Sequence, residues 1–259
     1  MKIKVITLPE AKHRQKRITE TFTANNLSFE FVDGILFGEC VFTQIDGNYY
    51  VNYKDMSFLI NEEQTIKNTN RSWIRFGEIA AYLAHYKIWK DFLNSNDDKI
   101  IICEDDAFPQ SDMTFLNDIN YDGIGFVNLQ KVTAHNQNKQ IMYIPPFVSH
   151  FNKSLVKYEK NINILCEGLA AYLLTKIGAQ ILCSYIEKNG FVGPNDCMIT
   201  KLAEQNLMPV YSPIELHKCF GLDPETNNIS FTHTGSFVDY KSFNKTTLQK
   251  KVTNELSIN

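Results

Sequence analysis

Apolar residues in this chain recur in two rhythms: short β-branched or aromatic runs, and longer stripes at helical spacing. Lys2–Leu8 (KIKVITL) predicts a first strand, ended by Pro9. Ala11–Asn26 follows as a polar helix, and Leu27–Val32 (LSFEFV) as a second strand that leaves through an Asp33–Gly34 turn. Together they make a β-α-β unit. Phe76–Asn94 is a clear amphipathic helix: Ile79, Leu83 and Tyr86 recur at helical spacing, and Tyr82, Trp89 and Phe92 widen the stripe. From Lys99 the chain turns continuously apolar through Ile100, Ile101, Ile102 and Cys103, the pattern of a strand buried on both faces. Gly123–Leu129 predicts a strand beside that one, and Leu165–Leu174 and Leu207–Ser212 add two more. Helices are expected at Lys176–Lys188, stopped by Asn189–Gly190, and from Gly193-Pro194-Asn195-Asp196 to about Asn206. Ser111–Asp112 is expected to cap a short helix to Asn120. Strands alternating with helices predict an α/β fold with a Rossmann-like, mixed but mostly parallel sheet.

Two stretches break the rhythm. In residues 35–75, Asp46-Gly47-Asn48 between two β-rich runs predicts a hairpin, and the region reads as an insertion at the rim of the crevice. Residues 131–163 are polar and aromatic with Pro145–Pro146, which suits loops that close over a ligand. No linker-like run or internal repeat divides the chain, so residues 1–240 are read as one domain and 241–259 as a tail. Lys plus Arg number 26 against 29 Asp plus Glu, a balance that argues against a nucleic-acid binder. The six cysteines form no C-x-x-C pair, and Cys103 and Cys183 fall on apolar positions, as reduced thiols of a cytoplasmic protein do. No run approaches membrane-spanning length, so a soluble protein is expected. The lysines of the tail allow at most a peripheral contact with a membrane surface.

The chemistry concentrates at the end of the apolar strand, where Glu104, Asp105 and Asp106 follow Cys103. Three like charges leaving a buried strand repel one another and lose solvation, so something must offset them. A divalent cation does so, because hard cations take carboxylate oxygens and bridge the phosphates of a bound nucleotide. In open α/β sheets the ligand crevice lies at such carboxyl ends. The plainer alternative is a solvated acidic turn. Lys12, His13, Arg14, Lys16 and Arg17 crowd the start of the first helix, where the dipole favours acids. That inversion suits a diphosphate, or else it is a solvated basic face. Asp33, leaving the second strand, is placed to meet a ribose or base, or serves its turn alone. Glu78 and His85 lie seven apart on nearly one face of their helix, where they form part of a site or a structural pair. Asp196 falls in the first turn of its helix, where a carboxylate is stabilised.

Four blocks then carry a resemblance: VITLPEAKHRQKR with the FEFVDG turn; GEIAAYLAHYKIW; IIICEDDAF; and GLAAYLLTKIGAQIL followed by GPNDCM. In this order, over residues 3 to about 212, they resemble glycosyltransferase family 25, the bacterial lipopolysaccharide and lipooligosaccharide glycosyltransferases related to the collagen galactosyltransferases. Ala81 stands where that family often has Cys, and Ala84 where it usually has a small polar residue. The resemblance implies a GT-A-like fold and an inverting enzyme using a nucleotide-sugar, UDP-galactose first, with Mn²⁺ or Mg²⁺. It implies that Glu104 and Asp106 bind the metal and that Asp105 orients or meets the ribose. Val5, Thr7 and Leu8 then lie under the uridine, Asp33 and Gly34 beside it, and Arg14 and Arg17 near the diphosphate. A late histidine completes the metal shell, His233 in ISFTHTG with His217 as competitor. Asp196 is the candidate base that deprotonates the acceptor hydroxyl, with Glu167 behind it. The acceptor is a saccharide, free or lipid-linked, and the setting is cytoplasmic, at the inner membrane face if a membrane is touched. Two alternatives stand beside this reading. A sugar nucleotidyltransferase would need a Gly-rich loop after the first strand, where LPEAKHR has no glycine. A glycan-binding or scaffold protein would keep the fold with a decayed site.

Overall fold

The structure, a computed structural model, describes residues 1–69, 74–130, 134–135, 141–142, 150–152, 155–157, 169–213, 219–222 and 242–243. The chain opens with strand β1 (Lys2–Thr7), helix α1 (Lys12–Ala24) and β2 (Glu30–Asp33). A small antiparallel sheet follows, β3 (Val41–Ile45), β4 (Asn48–Tyr53) and β5 (Met56–Leu59), and then α2 (Glu62–Thr69). After β6 (Ile74–Arg75) come the long helix α3 (Phe76–Leu93), β7 (Lys99–Glu104), β8 (Ala107–Pro109) and β9 (Phe126–Asn128). Four short strands, β10 (Ala134–His135), β11 (Ile141–Met142), β12 (His150–Asn152) and β13 (Leu155–Lys157), precede β14 (Ala171–Thr175). The chain continues through α4 (Lys176–Asn189), α5 (Asn195–Glu204), β15 (Val210–Pro213), β16 (Phe220–Leu222) and β17 (Ser242–Phe243).

Eight strands form the central sheet in the order β12-β13-β15-β9-β14-β7-β1-β2. β1 runs parallel to β2 and β7, and β15 parallel to β9. β14 is antiparallel to both its neighbours, and β13 to both of its own, so the other six strands share one direction. The mixed, mostly parallel sheet flanked by helices is therefore as expected. The lateral order is not. The 123–129 strand does not lie beside the acidic strand, because β14 returns between β9 and β7. All five residues of β14 are buried, and apolar periodicity carries no information on which neighbours bury them.

Side chains alternate across the sheet and build one core on each face. Ile100 and Ile102 of β7, with Tyr172 and Leu174 of β14, join α3 and α4 in the larger core. Ile101, Cys103, Ala171 and Leu173 point the other way, toward Ile18 and Phe22 of α1. Phe42, Tyr49, Val51 and Phe58 place the hairpin region in the larger core, against the same helices. The Asp46–Gly47 hairpin forms where its turn chemistry predicts. The 111–120 helix is only a 3₁₀ turn, Thr114–Asp118, with Asp112 Oδ1 accepting from the Thr114 N–H at 3.1 Å. Two glycines set close approaches. A Cβ on Gly178 would stand 2.0 Å from the Gly125 carbonyl oxygen, so α4 lies directly on the start of β9. Gly190 ends α4 with φ of 72°, and a Cβ there would meet the Leu59 carbonyl oxygen at 2.2 Å. Cys40, Cys103, Cys183, Cys197 and Cys219 are free thiols.

Candidate active site

Parallel pairing brings Thr7 level with Asp33, and Ile6 level with Glu104. The carboxyl ends of β2, β1 and β7 thus share one edge, and the acidic triplet turns there before β8. β8 is held by β16, with Leu222 paired to Ala107 directly after Asp106. The three acids have separate fates. Asp105 is the partnered one: its Oδ1 meets the Arg14 guanidinium, and its Oδ2 accepts from the Thr7 hydroxyl at 2.9 Å. Arg14 and Asp105 keep only 10% and 11% side-chain exposure, so the pair is nearly desolvated. Arg14 comes from the uncapped first turn of α1, where no acid competes for it.

Asp106 is the strained one. Its Oδ1 is buried with no hydrogen-bond partner, although the residue as a whole is half-buried. Burial first, and then the charges of Glu104 and Asp105, push its carboxyl up to about 7 from an ordinary 3.8, with Arg14 opposing. An uncompensated carboxylate oxygen of this kind is where a cation would be stabilising.

Glu104 is half-exposed, with 38% of its side chain accessible, and its Oε1 lies 3.2 Å from His85 Nε2. His85 Nδ1 lies 2.7 Å from the Tyr172 hydroxyl, which also accepts from the Trp89 indole N–H at 2.8 Å. Burial holds the Tyr172 phenol well above its ordinary pKa, and so protonated. His85 and Trp89 lie one turn apart on α3, while Tyr172 is central in β14. Glu78 does not join them. It accepts from the Arg75 N–H at 3.2 Å and caps the start of α3.

Val5 is fully buried beneath the edge and Leu8 is half-buried above it. The Gly34 N–H donates to the Thr7 carbonyl at 2.8 Å, and Asp33 beside it is exposed. Arg17 follows Arg14 along α1, half-buried. Asp196 is half-buried in the first turn of α5, its Oδ1 accepting from the Cys197 N–H at 2.8 Å. α4 starts where β14 ends and packs on α3, and just past its end the Gly190 carbonyl accepts from the Tyr82 hydroxyl at 2.7 Å, about one turn before His85 on α3. Glu167, His217 and His233 lie outside the described residues, as does most of 131–163. Among the described residues no three His, Cys, Asp or Glu side chains converge as a metal site. Sequence pattern gives no sign of three further polar groups. Tyr172 stands out only as a polar-tipped aromatic inside an apolar strand. Gln130 Oε1 accepts from the Ala170 N–H at 2.7 Å, next to Ala170's own bond to Glu104. Asn195, 6% exposed, has an unpartnered Oδ1 immediately before Asp196.

The family model for glycosyltransferase family 25 (LPS biosynthesis protein) matches residues 1–199, a span containing the acidic edge, α3 and the start of α5. The chain belongs to glycosyltransferase family 25. It is a glycosyltransferase of the lipopolysaccharide-biosynthesis type. No curated protein matches it. Among solved structures it is similar to an active-site mutant of LgtC, at 13% identity and a TM-score of 0.41, over 78% of this chain and 70% of that one. No helix among the described residues is long and apolar enough to cross a membrane.

Proposed function

We propose that this family 25 glycosyltransferase transfers galactose from UDP-galactose, with inversion, to a saccharide acceptor of a lipooligosaccharide or other cell-surface glycan. The observation that carries the reading is the buried, unpartnered Oδ1 of Asp106 beside half-exposed Glu104, at the carboxyl edge of a parallel β-α-β unit. Mg²⁺-like ions are commonly held by one or two carboxylates together with substrate phosphates, so this donor set fits Mn²⁺ or Mg²⁺ without a closed protein cage. Glu104 and Asp106 would hold the ion, with His233 or His217 as a third ligand. Once bound, the ion supplies charge stabilisation for the departing diphosphate.

The rest is the work of the chain's own groups. Thr7 and Leu8 form the floor for the uridine, with the buried Val5 packed beneath them and Asp33 and Gly34 at its side. Asp105, locked by Arg14 and Thr7, presents a fixed carboxylate to the ribose. Arg17, farther along α1, is assigned to the diphosphate. Asp196 takes the proton from the acceptor hydroxyl as that oxygen bonds to the anomeric carbon, and the bond from that carbon to the diphosphate oxygen breaks on the opposite face. UDP leaves with the electron pair. Glu167 is the second choice for this proton. A lipid-linked acceptor would be met at the inner face of the cytoplasmic membrane, where the lysine-bearing tail suits a peripheral contact.

The test is a screen of nucleotide-sugars and glycan acceptors with Mn²⁺ or with EDTA. The expected result is transfer from UDP-galactose, a product of inverted anomeric configuration by NMR, and loss of turnover in EDTA. Undiminished transfer in EDTA would remove the metal, and retained configuration would remove Asp196 as base. Glycan binding without transfer from any donor would favour the scaffold alternative.

A further inference from the structure

We infer that Trp89, Tyr172 and His85 form a buried positioning relay that fixes the imidazole tautomer of His85 and thereby presets the carboxylate of Glu104 for a divalent cation. The direction of the relay follows from donor chemistry. An indole N–H only donates, and Trp89 Nε1 gives its proton to the Tyr172 oxygen at 2.8 Å. Tyr172 has one proton of its own, and its other close partner is His85 Nδ1 at 2.7 Å, which must then accept. An imidazole accepting at Nδ1 carries its proton on Nε2 when neutral, and Nε2 faces Glu104 Oε1 at 3.2 Å. The opposite neutral tautomer would set an imidazole lone pair against a carboxylate oxygen and leave the Tyr172 proton unplaced. Each bond is thus dictated by the one before it, beginning from a group with no alternative.

Rigidity rises with depth along the same chain. Trp89 and Tyr172 are 0% exposed and His85 is 1% exposed, and the Tyr172 ring stacks on Phe126 with centroids 4.9 Å apart. Glu104 alone reaches solvent. A half-exposed carboxylate is held at Oε1 by a buried donor, which leaves Oε2 for the site. The bland alternative is a core histidine that merely satisfies its hydrogen bonds. The inference rests on the proposed reading of Glu104 as a cation ligand. Outer partners of metal ligands commonly matter by 10- to 100-fold in affinity, roughly the range expected here.

The test uses the full chain as wild type, Tyr172→Phe, His85→Gln and His85→Leu, with Mn²⁺ affinity read by electron paramagnetic resonance. Nitrogen NMR of ¹⁵N-histidine protein reads the tautomer, and the signal lost in His85→Gln identifies His85 among the six histidines. The wild type should show a neutral Nε2–H imidazole with Nδ1 accepting. Tyr172→Phe keeps the stacked ring but should lose that tautomer preference and weaken Mn²⁺ binding about tenfold. His85→Leu should weaken it by about 10- to 100-fold. His85→Gln, whose amide nitrogen falls near the Nε2 position, should recover most of the loss, which no packing role predicts. An Nδ1–H imidazole in the wild type, unchanged Mn²⁺ affinity in Tyr172→Phe and His85→Leu, or Gln no better than Leu would each overturn the relay. Galactose transfer by the wild type is measured separately. Transfer without the mutant pattern leaves the proposed function standing and removes the relay, whereas the mutant pattern without transfer does the reverse.

Discussion

Replacing Asp106 with Asn should stabilise the metal-free protein, and only at higher pH. In the folded chain this carboxyl keeps its proton up to about pH 7, whereas its ordinary value is 3.8. Between those values the folded state binds more protons than the unfolded state, so the group's contribution to stability falls as pH rises through that window. At about 1.4 kcal/mol per pKa unit the ceiling is roughly 4 kcal/mol. Asp106 is only half-buried as a residue, and solvent and salt screen part of its repulsion, so about 1–2 kcal/mol is the working figure. For a domain of this size that corresponds to a melting temperature about 3–6 °C above wild type. The assay is thermal unfolding of both proteins in EDTA at about pH 4.5 and about pH 8, where the difference should be small and then large. Saturating Mn²⁺ should raise the melting temperature of the wild type more than that of the variant, since only the wild type keeps both carboxylates. A variant that is less stable at the higher pH, or whose advantage does not change with pH, would refute the reasoning.

Asp196→Asn should leave UDP-galactose affinity nearly unchanged and lower turnover by about 10² or more, the scale of a lost general base; near-normal turnover in a stable variant would move that role to Glu167. Arg14→Met should cost roughly 3 kcal/mol in denaturant unfolding, because it leaves Asp105 buried beside two other carboxylates, and the double change Arg14→Met with Asp105→Asn should recover much of the loss. Gly178→Ala should destabilise by about 3 kcal/mol or fail to fold, since the new Cβ lands 2.0 Å from a backbone oxygen; a wild-type melting temperature would mean that α4 stands off the sheet.

Local pattern was enough for much of this protein. Alternation in KIKVITL, the stripe of Ile79, Leu83 and Tyr86, and the run Ile100–Cys103 predict β1, α3 and β7 nearly to the residue, because each is decided by periodicity and burial within one segment. The acidic triplet at the end of a buried strand was legible for the same reason, as was a family order spread over four blocks. What the segments could not decide was which of them meet. The place of β14 between β7 and β9 depends on the packing of all three strands, and no one of their patterns specifies it. The division of labour within Glu104-Asp105-Asp106 is likewise tertiary. Three adjacent carboxylates look alike in sequence, but it is Asp105 that pairs with Arg14, ninety-one residues earlier. Glu104 meets His85, and one buried oxygen of Asp106 is left without a donor. Sequence decided that charge would gather at this edge, since charge and periodicity are local properties. Which acid is neutralised, which is held and which is left for a ligand was decided by the fold, because hydrogen bonds act over about 3 Å and only folding brings their partners that close.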